Sequence, residues 1–359
     1  MTEILANLTS CTIGIDLGDR RSHYVILDEA GKLCKRASVV SSRAAFVRCF
    51  AKMGPCRVAI EVGTHSAWAE EALEESGHEV FVANPRRLRA IYQSTNKSDE
   101  LDPETLARVA RLDPRLLYPI CHRHGRTRAD LALVRSRDRA VDTRTKLINH
   151  VRGLVKSFGS RIDRCSAFTF HKRAAQQIPA ELEPAIGPIL HVINHLNATI
   201  ASYDKQIAKI AEESYPETSL LAQIAGVGPV TSLSFVLTIE DPKRFPKARI
   251  VPAFLGLCPR RYQSGRSDPQ LGITKSGDPY LRRLLVQSSQ YILGPKGPDT
   301  DLRRWGLQIA ARGGKTAKKR AVIAVARKLA VLLYRLWVSR AVYEPLRHSA
   351  SNQPQRRTA

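Results

Sequence analysis

The chain lacks the usual marks of a secreted, membrane-spanning or zinc-binding protein. Its seven cysteines form no CxxC pair and are odd in number, so neither a disulfide framework nor a zinc ribbon is predicted, and a reducing compartment is indicated. No basic segment at the start leads into an apolar run, so we expect no secretory signal. The longest uncharged stretch, residues 220–239, contains two glycines and a proline, which indicates a turn rather than a membrane span.

Acidic residues are scarce relative to basic ones. Lys and Arg number 57 against 33 Asp and Glu, which gives a net charge of +24 at neutral pH. Such an excess favours a polyanionic partner, and nucleic acid is the first candidate. A membrane-surface protein would carry a lipidation signal or one basic amphipathic helix, whereas here the basic residues are spread along the chain. The 43% of hydrophobic residues exclude a disordered protein, because they suffice to form buried cores.

The first hundred residues have the pattern of an α/β domain. Apolar, β-rich runs predict strands at residues 11–17, 22–27, 34–40, 57–62 and 79–82. Helical patterns at residues 43–52 and 67–76 separate the later strands. Because helices follow strands here, we expect a sheet with helical cover.

A long helical arm is predicted in the middle of the chain. Apolar residues recur at helical spacing over residues 127–159 and at near-heptad spacing over residues 182–213. A proline-containing connector joins the two patterns, which predicts an antiparallel pair. The sequence leaves two alternatives open, a helical hairpin packed on its own domain or a coiled coil that forms oligomers.

The last third is predicted to be helical and basic. Residues 226–229, Gly-Val-Gly-Pro, resemble a helix-hairpin-helix turn, and a basic loop and a final basic amphipathic helix over residues 316–337 follow. The predicted regions are residues 1–125, 126–215 and 216–347, with a disordered polar tail at 348–359. The cations predicted to bind nucleic acid are Arg260, Arg261, Arg266, Lys275, Arg282, Lys318, Lys319 and Arg320.

Carboxylates lie at the ends of two of the predicted strands. Asp16 ends the first strand and Glu61 ends a later one, so both can meet at one edge of the sheet. Asp99 and Asp102 are three residues apart, which would put them on one face of a helix. Four such acids could hold two Mg²⁺ ions, which take oxygen ligands and support phosphodiester displacement. Each acid also has a structural interpretation. Asp102 before Pro103, for example, is a good helix N-cap.

These motifs, taken in order, resemble the IS110/IS1111 family of insertion-sequence transposases. Beyond the four acids, the resemblance rests on the arm and on four short motifs: Gly226-Val227-Gly228-Pro229, Gly256-Leu257-Cys258-Pro259, Gln263-Ser264-Gly265, and residues 273–282. It implies an α/β RuvC-like (RNase H-like) N-terminal domain with a DEDD site, a helical coiled-coil arm and a mainly α C-terminal transposase domain. Pro103 departs from the small helix-forming residue found in many relatives.

The resemblance also implies partners and a mechanism. The DEDD acids would be Asp16, Glu61, Asp99 and Asp102, which would bind Mg²⁺, and the nucleophile would be Ser264. Donor and target double-stranded DNA, a non-coding bridge RNA and a homo-oligomer, a dimer or a tetramer, are expected as partners. The predicted location is the prokaryotic cytoplasm, on the nucleoid. Base pairing would read sequence, while the protein would read the shape and backbone of the RNA.

Ser264 has support from its own surroundings. An attacking alkoxide needs positive charge around the phosphate, and Arg260, Arg261, Arg266 and Lys275 are near in sequence. Ser267 shares these surroundings, so spacing alone does not separate the two serines. A hydroxyl that merely contacts a phosphate is the structural alternative.

Other functions remain possible from the sequence. A RuvC-type nuclease or junction resolvase would use the same acids with water as its nucleophile. An actin-like kinase would share the run Ile13–Gly18, although we find no second phosphate loop or adenosine motif. A non-enzymatic nucleic-acid scaffold would need none of the acids. Cys121-His122-Arg123-His124 has the composition of a metal site, but without a second ligand pair we do not expect zinc there.

Overall fold

The computed structural model describes residues 11–84, 101–123, 125–265, 267, 269 and 271–347, with only the backbone of residues 101 and 102. Asp99, Arg266 and the predicted tail at 348–359 lie outside the described residues, as does the side chain of Asp102. The chain folds as two compact units, Met1–Arg123 and His124–Ala359, and each is described by itself.

A five-stranded mixed sheet forms the centre of the first unit. Its strands are β1 Cys11–Asp16, β2 Arg21–Leu27, β3 Leu33–Val40, β4 Cys56–Glu61 and β5 Glu79–Ala83. The strand order is β3-β2-β1-β4-β5. Strands β1, β2 and β3 form an antiparallel meander, whereas β4 is parallel to β1 and β5 is parallel to β4. This architecture confirms the predicted α/β class of the region.

Helices cover both faces of this sheet. On one face α1 Arg43–Phe50 and α2 Ser66–Glu75 pack against the sheet, and the buried side chains include Ile13, Ile15, Phe46 and Leu73. On the other face lies α3 Leu101–Leu112, whose Leu106 and Ala110 pack against Ala59 and Ala83. Strands covered on both faces lose most of their apolar surface to the core, which explains the near-continuous apolar runs of β1 and β4.

Gly14 allows α3 to approach β1 closely. A Cβ atom at this position would overlap the carbonyl oxygen of Pro103 and would lie 2.7 Å from the amide nitrogen of Ala107. The first turn of α3 is therefore fixed directly above the middle of β1. This contact decides where residue 102 lies relative to the end of the strand.

One disulfide corrects the expectation drawn from the cysteine pattern. Cys11 and Cys56 are bonded, with their Cα atoms 5.0 Å apart. The two residues are 45 positions apart in the sequence but occupy paired positions at the start of the parallel strands β1 and β4. Sequence spacing cannot reveal such a pair, because the register of the sheet creates it. Cys34, Cys49, Cys121, Cys165 and Cys258 are free thiols.

A helical hairpin opens the second unit. Helices α4 Gly125–Ser157 and α6 Glu183–Ser214 pack against each other, and the short helix α5 Phe170–Ala175 closes their far end. Val134, early in α4, packs near Ile207, late in α6, whereas Val151 packs near Ile186, so the helices are antiparallel. Within the packed pair, the buried Asn197 accepts a hydrogen bond from Arg144 at 2.8 Å and donates one to the Phe168 carbonyl.

The rest of the second unit is mainly helical. Its helices are α7 Glu217–Ala222, α8 Pro229–Ile239, α9 Val251–Phe254, α10 Pro279–Leu293, α11 Asp301–Ala311 and α12 Ala317–Ser339. Their core includes Phe235, Leu285, Leu329 and Leu333. The base of the helical hairpin formed by α4 and α6 packs against Leu233 and Leu237 of α8. None of the described helices is long and apolar enough to cross a membrane.

Candidate active site

Asp16 and Glu61 lie next to each other at one edge of the sheet. Strands β1 and β4 run parallel in register through Ile15 and Ile60, so the residues that follow are the neighbouring strand ends Asp16 and Glu61. Adjacent strands are about 4.8 Å apart. Both carboxylate residues are half-buried. The expectation that two predicted ligands meet at the sheet edge therefore agrees with the register.

Strand alternation gives both carboxylates the same direction. Successive side chains point to opposite faces, so Asp16 shares the face of Gly14, and Glu61 shares the face of Ala59. Gly14 and Ala59 both lie under α3. Asp16 and Glu61 thus project on the side of the sheet that α3 covers.

The backbone of residue 102 belongs to the first turn of that same helix. Helix α3 begins at Leu101, so Asp102 lies within the helix, and the alternative of an N-cap followed by Pro at the first helical position does not describe this end. Pro103 fits here because the first turn needs no amide hydrogen at that position. The structure thus brings the chain at residue 102 to the face on which Asp16 and Glu61 project.

The described side chains supply two of the four predicted ligands, Asp16 and Glu61. Among the described side chains, no group of three or more His, Cys, Asp or Glu residues is arranged to hold an ion. Two of the four predicted ligands, Asp99 and the Asp102 side chain, are not in that set. The donor set that is described, two adjacent carboxylates, suits a hard cation such as Mg²⁺.

Two histidines that the sequence analysis missed lie at the same edge. His23 of β2 is the register partner of Asp16, so the two side chains share one face on neighbouring strands. His65, in the loop after β4, accepts a hydrogen bond at Nδ1 from Trp68 Nε1 at 3.2 Å. The other ring nitrogen of His65, Nε2, faces Asp19 Oδ1 at 3.8 Å. Only the register and the loop contacts reveal these neighbours.

His122 also lies near this edge of the sheet, beside the loop after β4. Its Nε2 lies 2.9 Å from the hydroxyl of Ser66, which in turn bonds to both backbone groups of Gly63. The contact ties the loop after β4 to the end of the first unit. His122 thus has a structural partner, and the described residues give no metal cluster there.

Ser264 lies at the tip of a β-hairpin in the second unit. The hairpin begins with a bridge between Pro259 and Ile273. At its tip Ser264 and Ser267 exchange both backbone hydrogen bonds, at 3.1 and 3.0 Å. Gly265, which follows Ser264, has a φ of +54°, the left-handed region that tight two-residue connections require.

Both tip serines are exposed and face the same side. Residues that exchange two backbone hydrogen bonds in an antiparallel pair carry their side chains on one face. Ser264 and Ser267 thus meet the same surroundings, as the sequence analysis expected. The geometry does not separate them, and the choice of Ser264 stays a prediction.

Two glycines interlock at the base of the hairpin. Gly256 and Gly277 have φ values of +69° and +74°. A Cβ on Gly256 would collide with the backbone of Lys275 and Ser276, and one on Gly277 would collide with the Phe254 carbonyl. The two chain segments can lie this close only without side chains at these positions. The glycines of these two motifs thus hold the hairpin in place.

The predicted nucleic-acid contacts fall into two groups. Arg282 uses its guanidinium within the protein, where it donates to the Leu255 carbonyl at 3.0 Å and to the Ser276 carbonyl at 2.9 Å. These bonds make it a support of the hairpin base. The remaining described cations of the prediction are exposed, namely Arg260, Arg261, Lys275, Lys318, Lys319 and Arg320.

Asp278 joins α4 of the arm to helix α10. Its Oδ1 accepts hydrogen bonds from the amides of Tyr280 and Leu281 at 2.8 and 2.9 Å, which caps α10, and Asp278 also pairs with Arg135 of α4. A second ion pair joins Arg283 to Asp138. Burial is the largest effect on the Asp138 carboxyl and raises its pKa, although Arg283 opposes it.

Comparison with known proteins identifies the family of this chain. The model of the transposase IS116/IS110/IS902 family matches residues 218–300, and a second transposase model, of the DEDD IS110 type, matches residues 13–159. A transposase for insertion element IS1328 of Yersinia enterocolitica is 30% identical over 285 residues, which cover 77% of this chain and 82% of that protein. This chain belongs to the IS110 family of transposases.

Two further relatives support the assignment. The probable family 20 transposase of Pseudomonas aeruginosa is 29% identical over 93% of this chain and 98% of its own length. The pilin gene-inverting protein of Moraxella bovis is 32% identical over 40% of this chain and 44% of its own length. This IS110-family transposase is therefore a DNA transposase and recombinase enzyme.

Proposed function

We propose that this transposase cuts and rejoins DNA through a covalent bond between Ser264 and a DNA phosphate. Asp16, Glu61, Asp99 and Asp102 would form its DEDD site and would hold two Mg²⁺ ions. The observation that carries the proposal is the shared edge and face of Asp16 and Glu61, under the first turn of α3. The meander followed by parallel strands supports a RuvC-like, RNase H-like fold for this unit.

The chemistry of the donor set fits magnesium. Carboxylates supply the hard oxygen ligands that Mg²⁺ requires, and strands and a helix are rigid enough to hold them. Bound Mg²⁺ would stabilise negative charge on the attacking and leaving oxygens of a phosphodiester. The role of Asp16 and Glu61 would be to hold the Mg²⁺ ions at a fixed point of the sheet edge. His23, beside Asp16, would be in reach of the same phosphate group.

Ser264 would supply the nucleophile. Its Oγ would form a bond to phosphorus while the bond from phosphorus to one deoxyribose oxygen breaks; the serine proton passes to solvent, and the leaving oxygen takes up a proton. The number of phosphoester bonds stays constant, so reversal by another strand end rejoins DNA without external energy. The exposed tip position of Ser264, and the exposed cations Arg260, Arg261 and Lys275 in and beside the base of the same hairpin, support this role.

The serine and the acids belong to different units, and the proposed reaction needs both groups at one phosphate. We propose that the two groups meet in a homo-oligomer, a dimer or a tetramer, through the arm formed by α4 and α6. A non-coding bridge RNA would select donor and target double-stranded DNA by base pairing. The exposed cations and the net charge of +24 support contacts to nucleic-acid backbones. The gene-inverting relative supports recombination with strand exchange.

The decisive experiment is a denaturing gel that detects protein joined to DNA. The full-length protein is incubated with Mg²⁺, its guide RNA and labelled DNA that carries the element ends. Ser264→Ala should abolish the adduct, whereas Ser267→Ala, in the paired tip position, should retain it. Adducts that persist in Ser264→Ala but disappear in Ser267→Ala would move the role to Ser267.

The same gel separates the alternative functions. Strand cleavage without any adduct would favour a nuclease or junction resolvase that uses water. Asp16→Asn and Glu61→Gln should each remove cleavage and adduct together, while both variants still bind nucleic acid. Unchanged cleavage in these two variants would contradict the DEDD site.

A further inference from the structure

A large groove lies in the second unit, and its lining includes Lys275, Lys319 and Arg320, three of the cations predicted to bind nucleic acid. It lies between the base of the Ser264 hairpin, helix α12 and residues 341–347, and its volume is about 1530 Å³. Pockets for small molecules usually enclose about 300–1,000 Å³. The size therefore fits a segment of a polymer.

The side chains that line the groove are strongly biased towards positive charge. Eight of them are lysine or arginine, and two, Asp301 and Glu344, are acidic. Arg320, Arg327 and Arg335 are exposed residues of α12 that line the groove. Spacings of seven and eight residues place these three on one face of the helix. The occupant should therefore carry a row of negative charges.

The groove also has an apolar floor. Ile273, Leu302 and Ile323 contribute to it, and Trp305 lies there beneath Lys328, whose Nζ is 4.3 Å from the ring centre. A duplex presents phosphates to a protein surface and keeps its base faces stacked inside. An unpaired strand presents both phosphates and base faces, and proteins bind such strands with a cationic groove and apolar or aromatic platforms. The combination of charged sides and apolar floor thus favours single-stranded nucleic acid.

The groove is continuous with the serine hairpin. Pro259, Gly272 and Ile273 line the groove and form the base of that hairpin. Ser264 is five positions beyond Pro259 in the chain, and a chain of this length spans at most about 18 Å. A strand in the groove would thus pass close to the hydroxyl that is proposed to attack DNA.

We propose that this groove holds a single strand of DNA next to the scissile phosphate. The apolar floor contacts the bases, and the arginines of α12 contact the phosphates. The choice of DNA over RNA rests on the proposed function, because the adjacent serine would act on DNA. The groove would keep a cleaved or unpaired strand in position while the partner strand exchanges.

The test measures binding separately from chemistry. Full-length Ser264→Ala protein is titrated against four fluorescein-labelled probes, a (dT)20 strand, an abasic strand of equal length, a (rU)20 strand and a 20-base-pair duplex, and fluorescence anisotropy gives each Kd. Arg327→Gln with Arg335→Gln removes two groove cations. The control, Arg312→Gln with Arg340→Gln, removes two exposed cations outside the groove.

We expect the groove variant to bind (dT)20 about tenfold more weakly and the control to bind like the parent. The slope of log Kd against log salt should shrink by about 1.4 in the groove variant, because each phosphate contact to a single strand contributes about 0.7. The parent should prefer (dT)20 to the abasic strand, and Ile323→Ser should reduce that preference. The arginines are exposed, so their replacement leaves the core intact.

Three results would overturn the proposal. Equal losses for the groove and control variants would assign the effect to overall charge. Preferential binding of (rU)20, or of the duplex, would assign the groove to RNA or to double-stranded DNA. A changed oligomeric state of the groove variant in sedimentation would make it an interface between copies. If Ser264→Ala retains covalent adducts while the groove variant loses (dT)20 binding, the serine assignment fails and the groove assignment stands.

Discussion

Replacement of Gly14 by alanine would test whether the contact between β1 and α3 positions the acidic edge. The new Cβ would overlap the Pro103 carbonyl and would lie 2.7 Å from the Ala107 amide nitrogen. Ordinary contact between such atoms requires about 3.5 Å, so relief of the Ala107 contact alone moves α3 away from β1 by ~0.8 Å, and relief of the Pro103 overlap requires a larger movement. Overpacking of this kind typically costs about 1–3 kcal/mol of stability.

The movement would carry residue 102 away from Asp16 and Glu61. A displacement of about 1 Å at a catalytic site can reduce a rate by about 100-fold. We therefore expect the initial rate of adduct formation by Gly14→Ala to fall by one to two orders of magnitude. Hydrogen–deuterium exchange should accelerate in α3, residues 101–112, while the arm of the second unit keeps its exchange rates.

Gly63→Ala is the matched control for this experiment. Gly63 lies two residues beyond Glu61 at the same sheet edge, and a Cβ there would meet no atom within 4 Å. This variant should retain the parental exchange in α3 and the parental rate of adduct formation. The reasoning is refuted by a Gly14→Ala protein with unchanged exchange in α3 and an unchanged rate. Equal losses in both variants would show that the edge tolerates no added methyl group.

Three further predictions concern side chains whose hydrogen bonds, ion pairs or burial affect the stability of the fold. Asp278→Asn keeps an acceptor for the α10 cap but loses the ion pair with Arg135, whereas Asp278→Ala loses both. In urea denaturation, Asp278→Ala should therefore lower the free energy of unfolding by about 1 kcal/mol more than Asp278→Asn. Asn197→Ala should destabilise the arm by about 1–3 kcal/mol, because it leaves Arg144 and the Phe168 carbonyl without partners, and thermal melting of the variant measures this. Burial lowers the pKa of His78 below 6.5, although its bond to the Phe50 carbonyl opposes this. Since the unfolded chain then binds the proton more readily, stability should decrease as pH falls below 6.5, and His78→Gln should weaken that dependence in melting curves at different pH.

The elements of the fold could be predicted because local pattern determines them. Apolar runs bounded by turn residues predicted all five strands, and the predicted limits of the arm helices lie within two residues of α4 and α6. The position of Asp16 and Glu61 at strand ends followed from the same runs. Their neighbourhood also depended on β4 being parallel to β1, which a helical crossover between strands favours.

The contacts that depend on register could not be predicted. His23 lies beside Asp16 only because β2 pairs with β1 in one register, and a shift of one residue would turn it to the other face. The disulfide between Cys11 and Cys56 has the same origin, since both residues open neighbouring parallel strands. The ring of His65 is held by Trp68, and nothing in the spacing of these two residues indicated that contact.

Several motif residues of the last third have structural roles in the fold, although the sequence pattern indicated contacts with nucleic acid. Residues 273–282 have the composition of a nucleic-acid contact, yet Gly277 allows a close backbone approach, Asp278 caps α10, and Arg282 bonds two carbonyls. These residues build the base of the hairpin, and the polar side chains that they leave exposed are Lys275 and Ser276. Most of this motif therefore supports the serine hairpin from within the protein. In the proposed function, base pairing to a guide RNA would supply sequence selectivity, and the role of a rigid hairpin would be to place the serine.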